Sequence, residues 1–292
     1  MSQIISNLAD VSDQYDALFC DLWGCVHDGV TVFPAAVAAL QAYRKRGGLV
    51  ILVTNSPRPK PSVVAQLDRL GMPRDAWDDV ATSGDAAQFG LVSGAVGKRV
   101  YHIGAVKDES FFTEIAPDLP QIAIERVPLD EAEGIVCTGL VDDRTETPEN
   151  YRGLLMLARE KGLTMLCANP DIVVDMGESR RYCAGALAQA YEEMGGTALY
   201  FGKPHPPIYD LARRRLAAHA SEVAESRILC VGDGIATDIQ GASGEGLDAL
   251  FISGGLAAEA FGPDVENPDQ GLLDEWLQGK EMAPRFTIGR LR

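Results

Sequence analysis

The feature that most limits the fold is an alternation of short, nearly continuous apolar runs with segments of helical period. "DALFCDLW" is followed by "AAVAALQAYRKRG", then by "LVILVTN", the segment "SVVAQLDRLG" and the run "DVATSG". Apolar runs of this length, with little polar alternation, predict parallel strands covered on both faces, and the helical segments between them supply the crossovers. The same grammar returns near the C-terminus in "ALYFGKP", "PIYDLARRRLAAHA", "SRILCVGDG", "TDIQGASGEG" and "DALFISGG". The pattern predicts an α/β fold with a doubly wound parallel sheet.

Between the two halves lie "RVYHIG", "QIAIERV", "EGIVCTGL", "LTMLCANP" and "DIVVDMG", separated by helical stretches such as "YRGLLMLAREKG". These are enough to build a second α/β layer. The expected organisation is a split core over residues 1–83 and 198–292, with an inserted domain over 84–197. "GLLDEWLQGKEM" is expected to form a closing helix.

The formal net charge is −16, from 42 acidic and 26 basic residues. Such a chain repels phosphate backbones and anionic lipid surfaces, so neither nucleic acid nor membrane is an expected partner. The first residues lack a basic segment leading into an apolar core, and no apolar run reaches the ~18 residues needed to span a bilayer. A cytoplasmic enzyme is expected. The six cysteines contain no CxxC pair and mostly fall inside apolar runs, which predicts reduced core thiols.

In open α/β sheets, ligands bind beyond the carboxyl ends of strands. Three strand tips end in polar groups: Asp21 after "ALFC", Thr54 and Asn55 after "VILV", and Asp233 after "ILCVG", with Asp238 a turn later. "FGKPHP" adds Lys203. Together they offer a carboxylate nucleophile, a hydroxyl for phosphate oxygens, a balancing ammonium and hard oxygen ligands for Mg²⁺. That is a phosphoryl-transfer set. Two competing motifs fail: in "VGDGIATD", Thr237 stands where a dinucleotide fingerprint needs glycine, and in "GAVGKR", Arg99 replaces the Ser or Thr of a P-loop.

The ordered quartet "DLWGCV", "LVTNS", "GKP" and "GDGIATDI" resembles the four motifs of the haloacid dehalogenase-like hydrolase superfamily, and the large insert resembles its C2-capped, NagD-type branch. The resemblance implies a Rossmann-like core, a C2-type α/β cap over the active site, Mg²⁺ as cofactor, and hydrolysis of small phosphorylated metabolites such as sugar phosphates. It gives Asp21 the role of nucleophile, Thr54 that of phosphate-binding hydroxyl, Lys203 that of orienting cation, and Asp233 that of metal acid, with Asp238 in support. NagD-like relatives often pair through their caps, so a homodimer is an open expectation.

One position departs from the pattern. The family reads Asp, any residue, Asp, Gly, and this chain reads Asp21, Leu22, Trp23, Gly24. The family's second acid protonates the leaving oxygen and lends its main-chain carbonyl to the metal. Trp23 keeps the carbonyl, so it remains a candidate metal ligand, but an indole N–H does not titrate near neutral pH. His27, in the expected flap hairpin "CVHDGV", is either a substitute proton donor or a hairpin surface residue. A substrate with a good leaving group needs no acid, and a protein that binds phosphorylated ligands without turnover is the alternative function. Asn55, Arg58, Asn169 and Asp171 are candidates for substrate contact, with ordinary loop or turn roles as the competing reading.

Overall fold

The computed structural model describes residues 2–177, 179–220 and 222–292. Its strands, in chain order, are β1 (Gln3–Ile4), β2 (Ala17–Cys20), β3 (Leu49–Thr54), β4 (Asp79–Thr82), β5 (Arg99–Ile103), β6 (Glu125–Arg126), β7 (Gly134–Cys137), β8 (Thr164–Cys167), β9 (Val173–Met176), β10 (Ser179–Tyr182), β11 (Thr197–Tyr200), β12 (Ile228–Gly232), β13 (Asp248–Ile252) and β14 (Phe286–Ile288). The chain divides into two compact units. The first holds Met1–Thr54, Gln66–Ala81 and Tyr209–Arg292, and the second holds Asn55–Ala65 and Thr82–Ile208.

A seven-stranded sheet in the order β1-β14-β13-β12-β2-β3-β4 organises the first unit. Its β1–β14, β14–β13, β13–β12, β12–β2 and β2–β3 ladders are parallel. Every residue of β2 and β12 is buried, as the unbroken apolar character of "ALFC" and "ILCVG" requires of strands covered on both faces. The helix Pro34–Lys45 carries the chain from β2 to β3, with proline at its first turn and Arg44 and Lys45 in its last.

From β2 the chain moves outward through β3 to β4, and on its return it fills the other side of β2 with β12, β13 and β14. The direction of winding therefore reverses between β2 and β12. Beyond the carboxyl ends of those two strands lies the crevice where open α/β sheets bind ligands. This fold is α/β and Rossmann-like, as the alternation of runs predicts.

The second unit has its own parallel sheet, β11-β8-β7-β5-β6, and a separate antiparallel hairpin of β9 and β10. Alternate residues of its strands serve two cores. Ile135, Cys137, Met165 and Cys167 pack with Leu155, Leu187 and Tyr191 on one face. Val136 and Leu166 pack with Leu91, Val100 and Phe111 on the other.

Local expectations and structure differ in several places. "QIAIERV" contributes only the two-residue β6, because its backbone pairs with β5 at Arg99 and Val100 alone. The closing helix is Gln270–Gly279, but β14 follows it and pairs with both β13 and β1. Neither terminal strand was expected, since two or three residues carry too little periodicity to register. The stretch after β12 opens as one π-helical turn, Ile235–Ile239, before a short α-helix, Gln240–Gly244.

No helix among the described residues is long and apolar enough to cross a membrane. All six cysteines are buried and none is in a disulfide. A thiol reagent at neutral pH should therefore give little signal with the native protein and six equivalents after denaturation, read by absorbance titration.

Candidate active site

The strand tips at the reversal of the first sheet carry carboxylates. Asp21 follows β2 directly, and its amide donates to the Val231 carbonyl at 2.8 Å, which holds it level with the end of β12. Asp233 follows β12 after Gly232. One carboxylate oxygen of Asp21, one of Asp233 and the Cys25 sulfur all lie within 4.8 Å of one another, and all three residues are buried. The Leu256 amide donates to Asp233 Oδ2 at 2.9 Å.

Gly24 permits this approach. Its φ is +75°, and a Cβ there would stand 2.2 Å from Asp233 Oδ2. Only a residue without a side chain lets the chain turn this tightly against the second carboxylate.

Cys25 was not singled out in the sequence, although its place four residues after Asp21 in a tight turn was a usable signal. Burial pushes its thiol well above the ordinary range, and the Asp233 and Asp21 carboxylates push it further. Two of the three possible ligands are carboxylates, the hard oxygen donors that a divalent cation such as Mg²⁺ takes.

Asp238 is buried nearby, and its charge also acts on the Cys25 thiol. Its Oδ2 accepts the Gly234 amide at 3.1 Å and the Thr237 hydroxyl at 3.4 Å, which ties down the loop bearing Asp233. Thr54, the last residue of β3, is buried at the tip of the strand next to β2. Asp21, Thr54 and Asp233 thus end three neighbouring strands, β2, β3 and β12.

Trp23 and His27 form one packed flap. Single backbone bridges join His27 to Trp23 and to Val32, and the Gly24 amide donates to the His27 carbonyl at 2.8 Å. The two rings meet edge to face with centroids 5.2 Å apart. The indole lies over Gly29, where φ is +85° and a Cβ would stand 2.3 Å from the ring. His27 is 2% exposed, so the hairpin-surface reading does not describe it. Its Nδ1 accepts the Gly29 amide hydrogen at 3.0 Å. That bond makes Nδ1 an acceptor and ties the ring to the turn. Burial pushes the Asp28 carboxyl up, but hydrogen bonds from the Thr31 and Val30 amides outweigh it and leave the group below its usual range.

The remaining candidates belong to the second unit. Asn55 uses its whole side-chain amide: Oδ1 accepts from the Lys203 amide at 2.7 Å, and Nδ2 donates to the Lys203 carbonyl at 3.1 Å and to Asp171 Oδ1 at 2.8 Å. Asn55 thereby fixes the main chain at Lys203, whose side chain is buried. Asn169 Oδ1 accepts the Asp171 amide at 3.1 Å, an Asx turn that shapes the loop after β8. Arg58 is half-buried, and its charge acts on the carboxyl of buried Asp108. Burial raises that carboxyl, against the opposing pull of Lys107 and Arg58.

Two family profiles match the chain, one described as haloacid dehalogenase-like hydrolase over residues 18–116 and one as HAD-hydrolase-like over residues 200–275. A crystal structure of a haloacid dehalogenase-like hydrolase from Brucella suis is 43% identical and superposes with a TM-score of 0.86, covering 99% of this chain and 100% of that one. The chain belongs to the haloacid dehalogenase-like hydrolase family, in its NagD-like branch.

Among curated relatives, D-glycerol 3-phosphate phosphatase of Mycobacterium tuberculosis is 27% identical over 252 residues, which are 85% of this chain. The chain spans 66% of that relative's length. Ribonucleotide monophosphatase NagD of Escherichia coli is 24% identical over 251 residues, 82% of this chain and 88% of NagD. The M. tuberculosis glycerol phosphate phosphatase has been solved in complex with magnesium, at 25% identity and a TM-score of 0.63, covering 87% of this chain and 71% of that one.

Gly24→Ala is expected to cost about 1–2 kcal/mol for the positive φ alone, before the overlap with Asp233. Thermal unfolding with and without MgCl₂ should show a lower Tm and a smaller upward shift on adding the ion.

Proposed function

We propose that this protein is a Mg²⁺-dependent phosphatase of small phosphorylated metabolites, acting through an aspartyl phosphate at Asp21. The observation that carries the reading is the meeting of the Asp21 and Asp233 carboxylates, buried beside the Cys25 thiol at the reversal of the first sheet. Two acids in that position repel one another unless a cation joins them. The M. tuberculosis and E. coli relatives, both phosphatases of small phosphorylated compounds, point the same way.

On this reading Asp21, Asp233 and the Trp23 main-chain carbonyl hold the metal. When bound, the ion offsets the carboxylate charge and polarises the phosphoryl group. Asp21 attacks phosphorus with one carboxylate oxygen, and the leaving oxygen departs from the opposite side. The Thr54 hydroxyl donates to a phosphoryl oxygen, and Lys203 balances the charge that accumulates in transfer. Asp238 acts indirectly by holding the Gly234 loop. Residues 84–197 serve as the cap that selects the substrate.

A second reading, a phospho-ligand binding protein that does not hydrolyse its ligand, is favoured by Trp23 in place of an acid. Phosphate release and thermal shift, measured together over a panel of phosphorylated metabolites, separate the two. Stabilisation by ligands without phosphate release would support the second.

Under the first reading, Mg²⁺-supported turnover of p-nitrophenyl phosphate falls by about 10³-fold or more in Asp21→Asn. Unchanged turnover in that folded variant would remove the mechanism.

A further inference from the structure

We infer that Asn55 and Asp171 are positioning residues for Lys203: they set where its ammonium stands and are not themselves contacts for the substrate. The inference rests on the phosphatase reading above, in which Lys203 balances the charge that accumulates in transfer.

Four segments of the second unit converge on the main chain at Lys203. A Cβ on Gly202 would stand 2.4 Å from Asn55 Oδ1, 2.6 Å from Ser83 Oγ and 2.7 Å from Pro170 Cδ, so the chain passes residue 202 with no room for a side chain. The next residue is held at both its amide and its carbonyl. Asn55 Oδ1 accepts the Lys203 amide hydrogen at 2.7 Å, and Asn55 Nδ2 donates to the Lys203 carbonyl at 3.1 Å, much as a neighbouring strand would. Asn55 and Lys203 are both buried, so water does not compete for either bond.

Asp171 decides how the Asn55 amide lies. A carbonyl and a carboxylate only accept and a main-chain amide only donates, so all three partners require one orientation. Oδ1 faces the Lys203 amide, and Nδ2 faces the Lys203 carbonyl and Asp171 Oδ1, the last at 2.8 Å. Without the carboxylate, an N–H of a buried amide loses its partner.

Asp171 is itself fixed. Its amide donates to Asn169 Oδ1 at 3.1 Å, its carbonyl accepts the Gly185 amide at 3.1 Å, and a Cβ on Gly185 would stand 2.1 Å from the Pro170 carbonyl oxygen. The helix Ala184–Glu193 therefore seats the loop after β8, and that loop holds Asp171. Asp171 orients Asn55, and Asn55 holds Lys203.

A lysine carries its charge on a flexible stem, so the place of its Cα decides where the ammonium can reach. A misplacement of about 1 Å in a catalytic constellation can cost on the order of 10²-fold in rate. Because Lys203 acts on charge that develops during transfer, the loss falls on kcat more than on KM.

The test is a double-mutant cycle on the full-length protein with MgCl₂ and p-nitrophenyl phosphate, each variant being checked for folding by circular dichroism. Asn55→Ala and Asp171→Ala should each lower kcat by about tenfold or more while KM changes by less than about threefold. In a Lys203→Ala background the same substitutions should cost less than about twofold, because the group they place is gone. Asp171→Asn keeps an acceptor oxygen for Asn55 Nδ2 and should keep kcat within about threefold of the wild type. Losses that simply multiply with that of Lys203→Ala would overturn the inference. So would an Asp171→Ala effect confined to KM, the mark of a substrate contact. Where Asn55→Ala does not fold, or Lys203→Ala leaves too little turnover to measure, the contrast between Asp171→Ala and Asp171→Asn decides. Lys203→Ala also keeps the two levels apart: if it lowers turnover sharply while Asn55→Ala and Asp171→Ala do not, the role of Lys203 stands and the positioning falls. If it leaves turnover unchanged, the role given to Lys203 falls and the inference with it.

Discussion

Repulsion between two buried carboxylates is the constraint around which the first unit is arranged. At a separation of 4.8 Å or less, two such charges oppose one another by about 3.5 kcal/mol or more in a partly screened interior. The chain accepts this cost because β2 and β12 are neighbours and both end at the reversal of the sheet. Gly24 then gives up its side chain to let Asp233 come close, and Leu256 and Gly234 lend amides to the local acids. Burial, and then the two carboxylates, push the Cys25 thiol up. Each of these features lets the two acids stand close together at the strand tips.

The flap answers a different demand. A histidine six residues after a strand-tip carboxylate invites a proton-transfer role, and in sequence "CVHDGV" leaves that role open. In the fold the imidazole is a structural member: Gly29 binds Nδ1, and Trp23 packs across both. The indole thus does what a carboxylate could not, filling space and fixing a turn.

How much of this was legible in the sequence depended on the range of the interaction. Long apolar runs such as "LVILVT" and "ILCVG" declared β3 and β12, and their polar ends declared Thr54 and Asp233. The two-residue β1 and three-residue β14 went unseen because pairing across the whole chain, not local pattern, makes them strands. Cys25 was read as core, which its burial agrees with, but its closeness to two acids comes from a turn that residue types alone do not describe. Asn55 was read as a substrate contact. In the fold its amide has three partners at Lys203 and Asp171, more than a hundred residues away in the chain.

The path of the backbone between the two units carries a last consequence. The second unit takes residues 55–65 from between two stretches of the first, in addition to 82–208, so the polypeptide crosses from one to the other four times. A chimera that swaps only the long insert would strand Asn55 on the wrong parent while Lys203 and Asp171 arrived from the donor. Grafting between relatives therefore has to move the short segment together with the long one, and natural recombination within this branch meets the same restriction.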